Sequence, residues 1–133
     1  MKSKETRALI VHRLEKSSKS ITAAELMLEK DMPAFAMNRV YYSMFYAIQA
    51  LMILRDVSFS KHGQLKGYFN REFVKTGILS KEIGQVFNKA FEYRQKFDYV
   101  DFASPDREMV SEYIAKAKDF HSILSDYIKK ELS

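Results

Sequence analysis

At 133 residues the chain is sized for one domain, residues 1–133, and an apolar content of 47 % is enough to bury a core without staples. It has no cysteine, which excludes a disulfide framework, a Cys-type zinc site and a thiol nucleophile. Lys and Arg number 22 against 17 Asp and Glu, and the resulting +5 permits anionic partners without demanding them.

Four glycines and two prolines leave little turn material for a β protein, and no half-buried strand pattern alternates along the chain, so the fold class expected is all-α. The first residues after Met1, KSKETR, carry no apolar core of a secretory signal, and the expected location is cytoplasmic. Ser3 can cap a first helix reaching to about residue 30, with Ile10, Leu14, Ser17, Ile21, Ala24 and Leu28 on one seam. Asp31-Met32-Pro33 stops it and starts the next, because proline suits the first helical position. Helices one and two should therefore pack antiparallel across a tight turn.

Helix two runs to about Arg55 and contains RVYYSMFYAIQALMIL, Arg39 to Leu54, the stretch that organises the chain. Apolar and aromatic side chains point in every direction of its 3.6-residue period, which marks a helix surrounded by protein. It is shorter than the roughly eighteen apolar residues a membrane span needs, and Ser43 and Gln49 interrupt it. After the loop DVSFS, Ser60 is expected to cap a short third helix, with Leu65, Phe69 and Phe73 on its stripe and Gly77 at its stop. Ser80 caps a fourth, in which Ile83, Phe87, Ala90, Arg94 and Phe97 share a seam. Ser104 and Pro105 open the last, with Met109, Tyr113, Ala117, Phe120, Leu124 and Tyr127 facing inward. The expected architecture is an up-and-down helical bundle of four main helices plus one short helix.

His12, His62 and His121 fall on different helices without a Glu-x-x-His pair, so no metal site and no cofactor is expected. No Gly-rich phosphate loop or nucleophile elbow is present. Tyr41, Tyr42 and Tyr46 read first as packing residues with polar tips. Two arginines stand out. Folding helix one back on helix two brings Arg39 level with residues 24 and 25, which makes Glu25 its expected ion-pair partner. Arg94 occupies a seam position that asks for an apolar side chain, with Asp98 and Tyr99 just behind it, so it either pairs internally or faces a groove that wants an anion.

NRVYYSMFYAIQAL, SKHG at 60–63, REFVKTG at 71–77 and EYRQKFDY at 92–99 occur in an order and spacing that resemble the HEPN domain family, in a compact prokaryotic branch. The resemblance covers nearly the whole chain. It implies a helical bundle, a homodimer, and a gene paired with a small nucleotidyltransferase in toxin–antitoxin fashion. Many members are metal-independent endoribonucleases, whose motif is an Arg followed after four to six residues by a His. This chain departs from that motif: Tyr99, Val100 and Asp101 stand in the window after Arg94, and Met44, Phe45 and Tyr46 in the window after Arg39. Cleavage through a 2′-hydroxyl needs a group that exchanges a proton near pH 7, which an ordinary phenol of pKa about 10 does not.

The function expected is RNA or nucleotide binding, with ribonuclease activity dependent on a substitute for the missing histidine. The rivals are an inactive dimeric module that holds a nucleotidyltransferase and a stand-alone nucleotide-binding module. The expected catalytic site is Arg94, Asp98, Tyr99 and His62. In that register Arg39 should lie at the opposite end of the bundle, roughly 20 Å away at 1.5 Å per residue, and take no part.

Overall fold

The computed structural model of the chain describes residues 2–133. Five α-helices follow one another: α1 (Lys4–Glu29), α2 (Pro33–Leu54), α3 (His62–Phe69), α4 (Lys81–Tyr99) and α5 (Arg107–Leu132). A π-helical turn, Asn70–Val74, continues α3. No strand occurs among the described residues, and the molecule is an all-α helical bundle. No helix among them is long and apolar enough to cross a membrane.

Local chemistry sets most of the helix ends. The Ser3 and Ser80 hydroxyls accept from the backbone N–H of Thr6 and Ile83, at 3.1 and 3.3 Å, and so satisfy donors that open α1 and α4. Asp31 takes a left-handed φ of 60° between α1 and α2, a conformation that a short polar side chain tolerates, and Pro33 then starts α2. Two expected caps are corrected. Lys61, without a side-chain bond, precedes α3 in place of Ser60, and Asp106 precedes α5 in place of Ser104.

α2 is the centre. It packs on α1, α4 and α5, and its buried face includes Met37, Val40, Tyr41, Met44, Ile48 and Leu51, all at 0 % exposure. Phe69 of α3, Phe73 of the π turn, Phe87 and Phe120, also fully buried, pack against one another, Phe69 meeting Phe87 edge to face. The widened turn was not visible in the sequence. Its backbone closes from Lys75 N–H to the Asn70 carbonyl at 2.8 Å, and it keeps Phe69 and Phe73 together in the core.

The route of the chain between α2 and α3 decides where the site is. Residues 55–61 do not simply turn the chain around. They run back along α2, with Val57 and Phe59 packed on the core, and deliver His62 beside Tyr41, Tyr42 and Phe45. Phe45 lies nine residues before Leu54, about 13 Å of helix. Arg55 and Asp56, the latter with a left-handed φ of 59°, reverse the chain, and residues 57–61 cover the span at roughly 3.3 Å each. α3 and the π turn then return towards Arg55, whose guanidinium sits 4.5 Å over the Phe73 ring. α4 therefore starts beside the C-terminal end of α2 and finishes beside its N-terminal half.

Candidate functional site

That path brings the end of α4 onto the first turns of α2. The Arg94 side chain is 14 % exposed and lies among three tyrosines, with its guanidinium carbon 5.4 Å from the Tyr41 and Tyr42 ring centroids and 5.6 Å from that of Tyr99. Nη2 donates to the Tyr42 hydroxyl at 3.1 Å and, more weakly, to that of Tyr99 at 3.4 Å. Nε is 3.2 Å from Asp98 Oδ2, one helical turn on, but the angle is too poor for a hydrogen bond, so the contact is an ion pair without a shared proton. No described residue bonds Nη1. The fork is thus oriented from behind and open at its tip.

Asp98 does more than neutralise Arg94. Its Oδ2 also accepts from Asn38 Nδ2 at 2.8 Å, and Asn38 Oδ1 in turn accepts from Arg39 Nη2 and Nε at 2.8 and 3.1 Å. The Arg39 guanidinium lies 5.0 Å from the centre of the same Tyr42 ring that Arg94 touches. Arg39 therefore belongs to the cluster, and its expected exclusion at the far end of the bundle is overturned. The error was to treat the α2–α3 connection as a simple reversal.

The expected Arg39–Glu25 pair is corrected as well. Arg39 borders Ser20 and Ala23 of α1, short of the expected level at residues 24 and 25, and Glu25 is turned to another face. Its carboxylate binds Lys118 of α5 at 3.0 Å.

His62 completes the neighbourhood. Its ring stacks on Phe45 at 4.3 Å between centroids, and its Nδ1 is 2.8 Å from the Tyr41 hydroxyl. Tyr41 is wholly buried, and burial pushes its phenol far above the ordinary range, an effect that Arg94 offsets only in part. The hydroxyl is thus a neutral O–H, and no other described residue accepts its proton. It donates to Nδ1, and neutral His62 consequently carries its own proton on Nε2. Burial, and then the Arg94 charge, hold the imidazole below its usual pKa.

The structure thus brings Arg94, Asp98, Tyr99 and His62 around two tyrosines and adds Asn38, Arg39, Tyr41 and Tyr42. The last four were missed as a set. Their signal was the adjacency of Asn38-Arg39 to Tyr41-Tyr42, whose side chains lie three to four positions apart on one face.

A family model of the HEPN domain matches residues 10–127. The chain belongs to the HEPN domain family. Relatives within it include a UPF0332 protein of Thermotoga maritima, 40 % identical over 106 residues that make up 80 % of each chain. Two proteins of Methanocaldococcus jannaschii also match. "Putative toxin MJ0142" is 38 % identical over 65 % of this chain and 58 % of its own length. "Putative toxin MJ0605" is 28 % identical over 97 % of this chain and 92 % of its own. The HEPN match takes in α2, α3 and α4, the elements that build the arginine–tyrosine cluster. The names of the two archaeal relatives support a toxin-like branch of the family.

Proposed function

We propose that this HEPN domain grips the phosphate of an RNA strand with Arg94 and Arg39, as the toxin-like half of a paired system. The observation that carries the reading is the Arg94 guanidinium, held by Asp98 and Tyr42 with Nη1 unbonded and a second guanidinium on the same tyrosine ring. A planar, permanently charged fork suits a phosphate with two free oxygens. Tyr99, 69 % exposed beside it, offers a ring to an adjacent base.

Cleavage at such a site needs no metal. The 2′-oxygen attacks phosphorus, the bond to the 5′-oxygen breaks, and the two arginines stabilise the charge on the phosphorane. A base must take the 2′-proton, and the leaving oxygen must gain one. His62 is the imidazole nearest Arg94. It serves as the base only after its proton moves to Nδ1 and Tyr41 turns away, so turnover should be slow.

A second reading rests on a different feature. Met32, Phe35, Val100 and Phe102 are exposed at the same end, next to the cluster, with Phe102 fully so. We assign this patch to a second copy of the chain, which would set two Arg94 clusters face to face. A nucleotidyltransferase covering it is the competing occupant.

The test is direct. Purified protein in EDTA should bind labelled single-stranded RNA and cut it slowly. Arg94→Ala should abolish both, and His62→Ala should abolish cutting while binding stays. RNA bound but never cut would reduce the reading to a binding module, and no RNA bound would overturn it. Sedimentation should show a dimer that Phe35→Asp dissociates.

A further inference from the structure

A row of cations lies along the groove between α1 and α2, starting at Arg39 on the edge of the Arg94 cluster and leading away from it through Lys19, Lys16 and Arg13. Because the two helices are antiparallel, Arg39 faces Ser20 and Ala23, Tyr46 faces Lys16, and Gln49 faces Arg13. Lys16 sits 4.7 Å over the Tyr46 ring, and Lys19 borders the same depression of about 280 Å³ as Arg39. No acidic residue lines this depression or the cavity beyond it. None of Arg13, Lys16, Lys19 and Arg39 forms an ion pair among the described residues, whereas Lys89, Arg94, Lys116 and Lys118 all do. The four cations therefore form a row whose charge is not offset within the groove.

The row ends at a cavity of about 90 Å³ walled by Met52, Ile53, Phe59 and Leu65. Two polar atoms on its lining are buried and have no hydrogen-bond partner: Arg13 Nε, a donor, and Gln49 Oε1, an acceptor. A buried donor or acceptor left unpaired costs about 1–3 kcal/mol, so both call for an occupant. That occupant must bring an acceptor and a donor together on a largely apolar body. The exposed edge of an unstacked nucleobase has this form. Gln49 follows Tyr42 by seven residues on the same face of α2, about 10 Å along the axis, so the cavity lies two helical turns from the arginines.

We propose that the α1–α2 groove is the track along which single-stranded RNA leaves the Arg94 site, with Lys16 and Lys19 on its phosphates and one base inserted between Arg13 and Gln49. The proposal rests on the RNA reading above and gives it a direction and a means of base discrimination. The competing occupant of the cavity is water, for which there is also room.

The full chain is titrated by fluorescence anisotropy with labelled ten-nucleotide oligo-U, oligo-C and oligo-A at several salt concentrations. The wild type should prefer one base by about tenfold, the discrimination expected of one good pair of base contacts. The double variant Lys16→Ala/Lys19→Ala should weaken all three oligomers alike and reduce the salt slope by about 1.4, at roughly 0.7 for each phosphate no longer neutralised. Gln49→Leu, with Gln49→Ala as a check on the substituting side chain and melting curves to confirm folding, should bring the three affinities within about twofold. An unchanged salt slope in the double variant overturns the track. Equal binding of the three oligomers by the wild type assigns the cavity to water and overturns the base pocket. Loss of binding in Arg94→Ala beside an unaffected double variant sinks only this proposal, whereas a wild type that binds no RNA sinks the reading beneath it.

Discussion

The two ends of α2 both carry arginines, and they use them differently. At the C-terminal end a hollow of about 720 Å³ is lined by Lys2, Arg7 and Arg55, which looks at first like an anion site. There, however, Lys2 is paired with Asp56 at 2.7 Å, Arg7 donates to the Leu132 carbonyl at 2.8 Å, and Arg55 donates to Tyr127 while lying over Phe73. Each of these cations ties one segment of chain to another. At the N-terminal half the partners of Arg94 hold it from behind and leave Nη1 free, and Arg39 stands beside it bonded only to an amide. The larger hollow fastens the helix ends, and the smaller cluster offers donors. What separates them is the surroundings of the cations: Asp56 and Glu131 share the lining of the hollow with Lys2, Arg7 and Arg55, whereas Asp98 alone answers Arg94 and Arg39.

The sharpest way to break this contrast is to keep the charge and remove the fork. Arg94→Lys retains a cation but can no longer be held by Asp98 and Tyr42 while presenting Nη1. Loss of one hydrogen bond to a charged group, worth about 1.5–3 kcal/mol, should lower RNA affinity at least tenfold. Arg55→Lys should leave RNA affinity alone and lower stability by no more than about 1 kcal/mol, the scale of an exposed cation–π contact. Anisotropy and urea unfolding on the same two proteins separate the outcomes. Equal loss of affinity in both variants would mean that the two ends are not distinct.

Much of this arrangement was legible in the sequence, and the rest failed for identifiable reasons. Ser3, Pro33 and Ser80 declared their helix starts, because caps and prolines act locally. Arg94 announced itself by interrupting the seam of Ile83, Phe87 and Ala90. The arginine pair was lost because periodicity fixes the face of a helix and says nothing of the route of a loop. Residues 55–61 could have led outward or back along α2, and Val57 and Phe59, spaced for alternate contact with the core, were the clue that they fold back. Glu25 failed in level and in azimuth: Arg39 borders Ser20 and Ala23, and the Glu25 side chain points to α5.

A smaller effect compares two histidines. His62 near the cluster and His121 on α5 each hold a hydroxyl through Nδ1, that of Tyr41 at 2.8 Å and that of Ser17 at 2.9 Å. Burial first, and then a cation, Arg94 for one and Lys129 for the other, hold both imidazoles below their ordinary value. As pH falls through about 6.5 the unfolded chain takes up these protons and the folded chain resists, so the unfolded state binds more protons. Their contribution to stability is therefore complete above about pH 7 and is lost as pH falls through the depressed folded values. Thermal midpoints should drop between pH 7.5 and 5.5, and His62→Gln and His121→Gln should each flatten part of that drop. Midpoints that rise on acidification would contradict the assignment.

The finest distinction lies in one proton. Tyr41→Phe removes the hydroxyl behind His62 and leaves Nδ1 without its donor, at a cost of about 1 kcal/mol in stability. RNA affinity should change less than twofold, because Tyr41 touches Arg94 only through its ring. The tautomer should respond. In the wild type the Tyr41 O–H occupies the Nδ1 lone pair and fixes the proton on Nε2, whereas in the variant Nδ1 can carry the proton and Nε2 becomes a free base. Long-range nitrogen–proton NMR correlations of His62 at pH 8 should show the Nε2–H form in the wild type and a mixture in Tyr41→Phe, accompanied by faster cutting of RNA in EDTA. A wild-type ring protonated at Nδ1 would mean that Tyr41 accepts from His62, that Nε2 is already free, and that the slow turnover expected of this site has another cause.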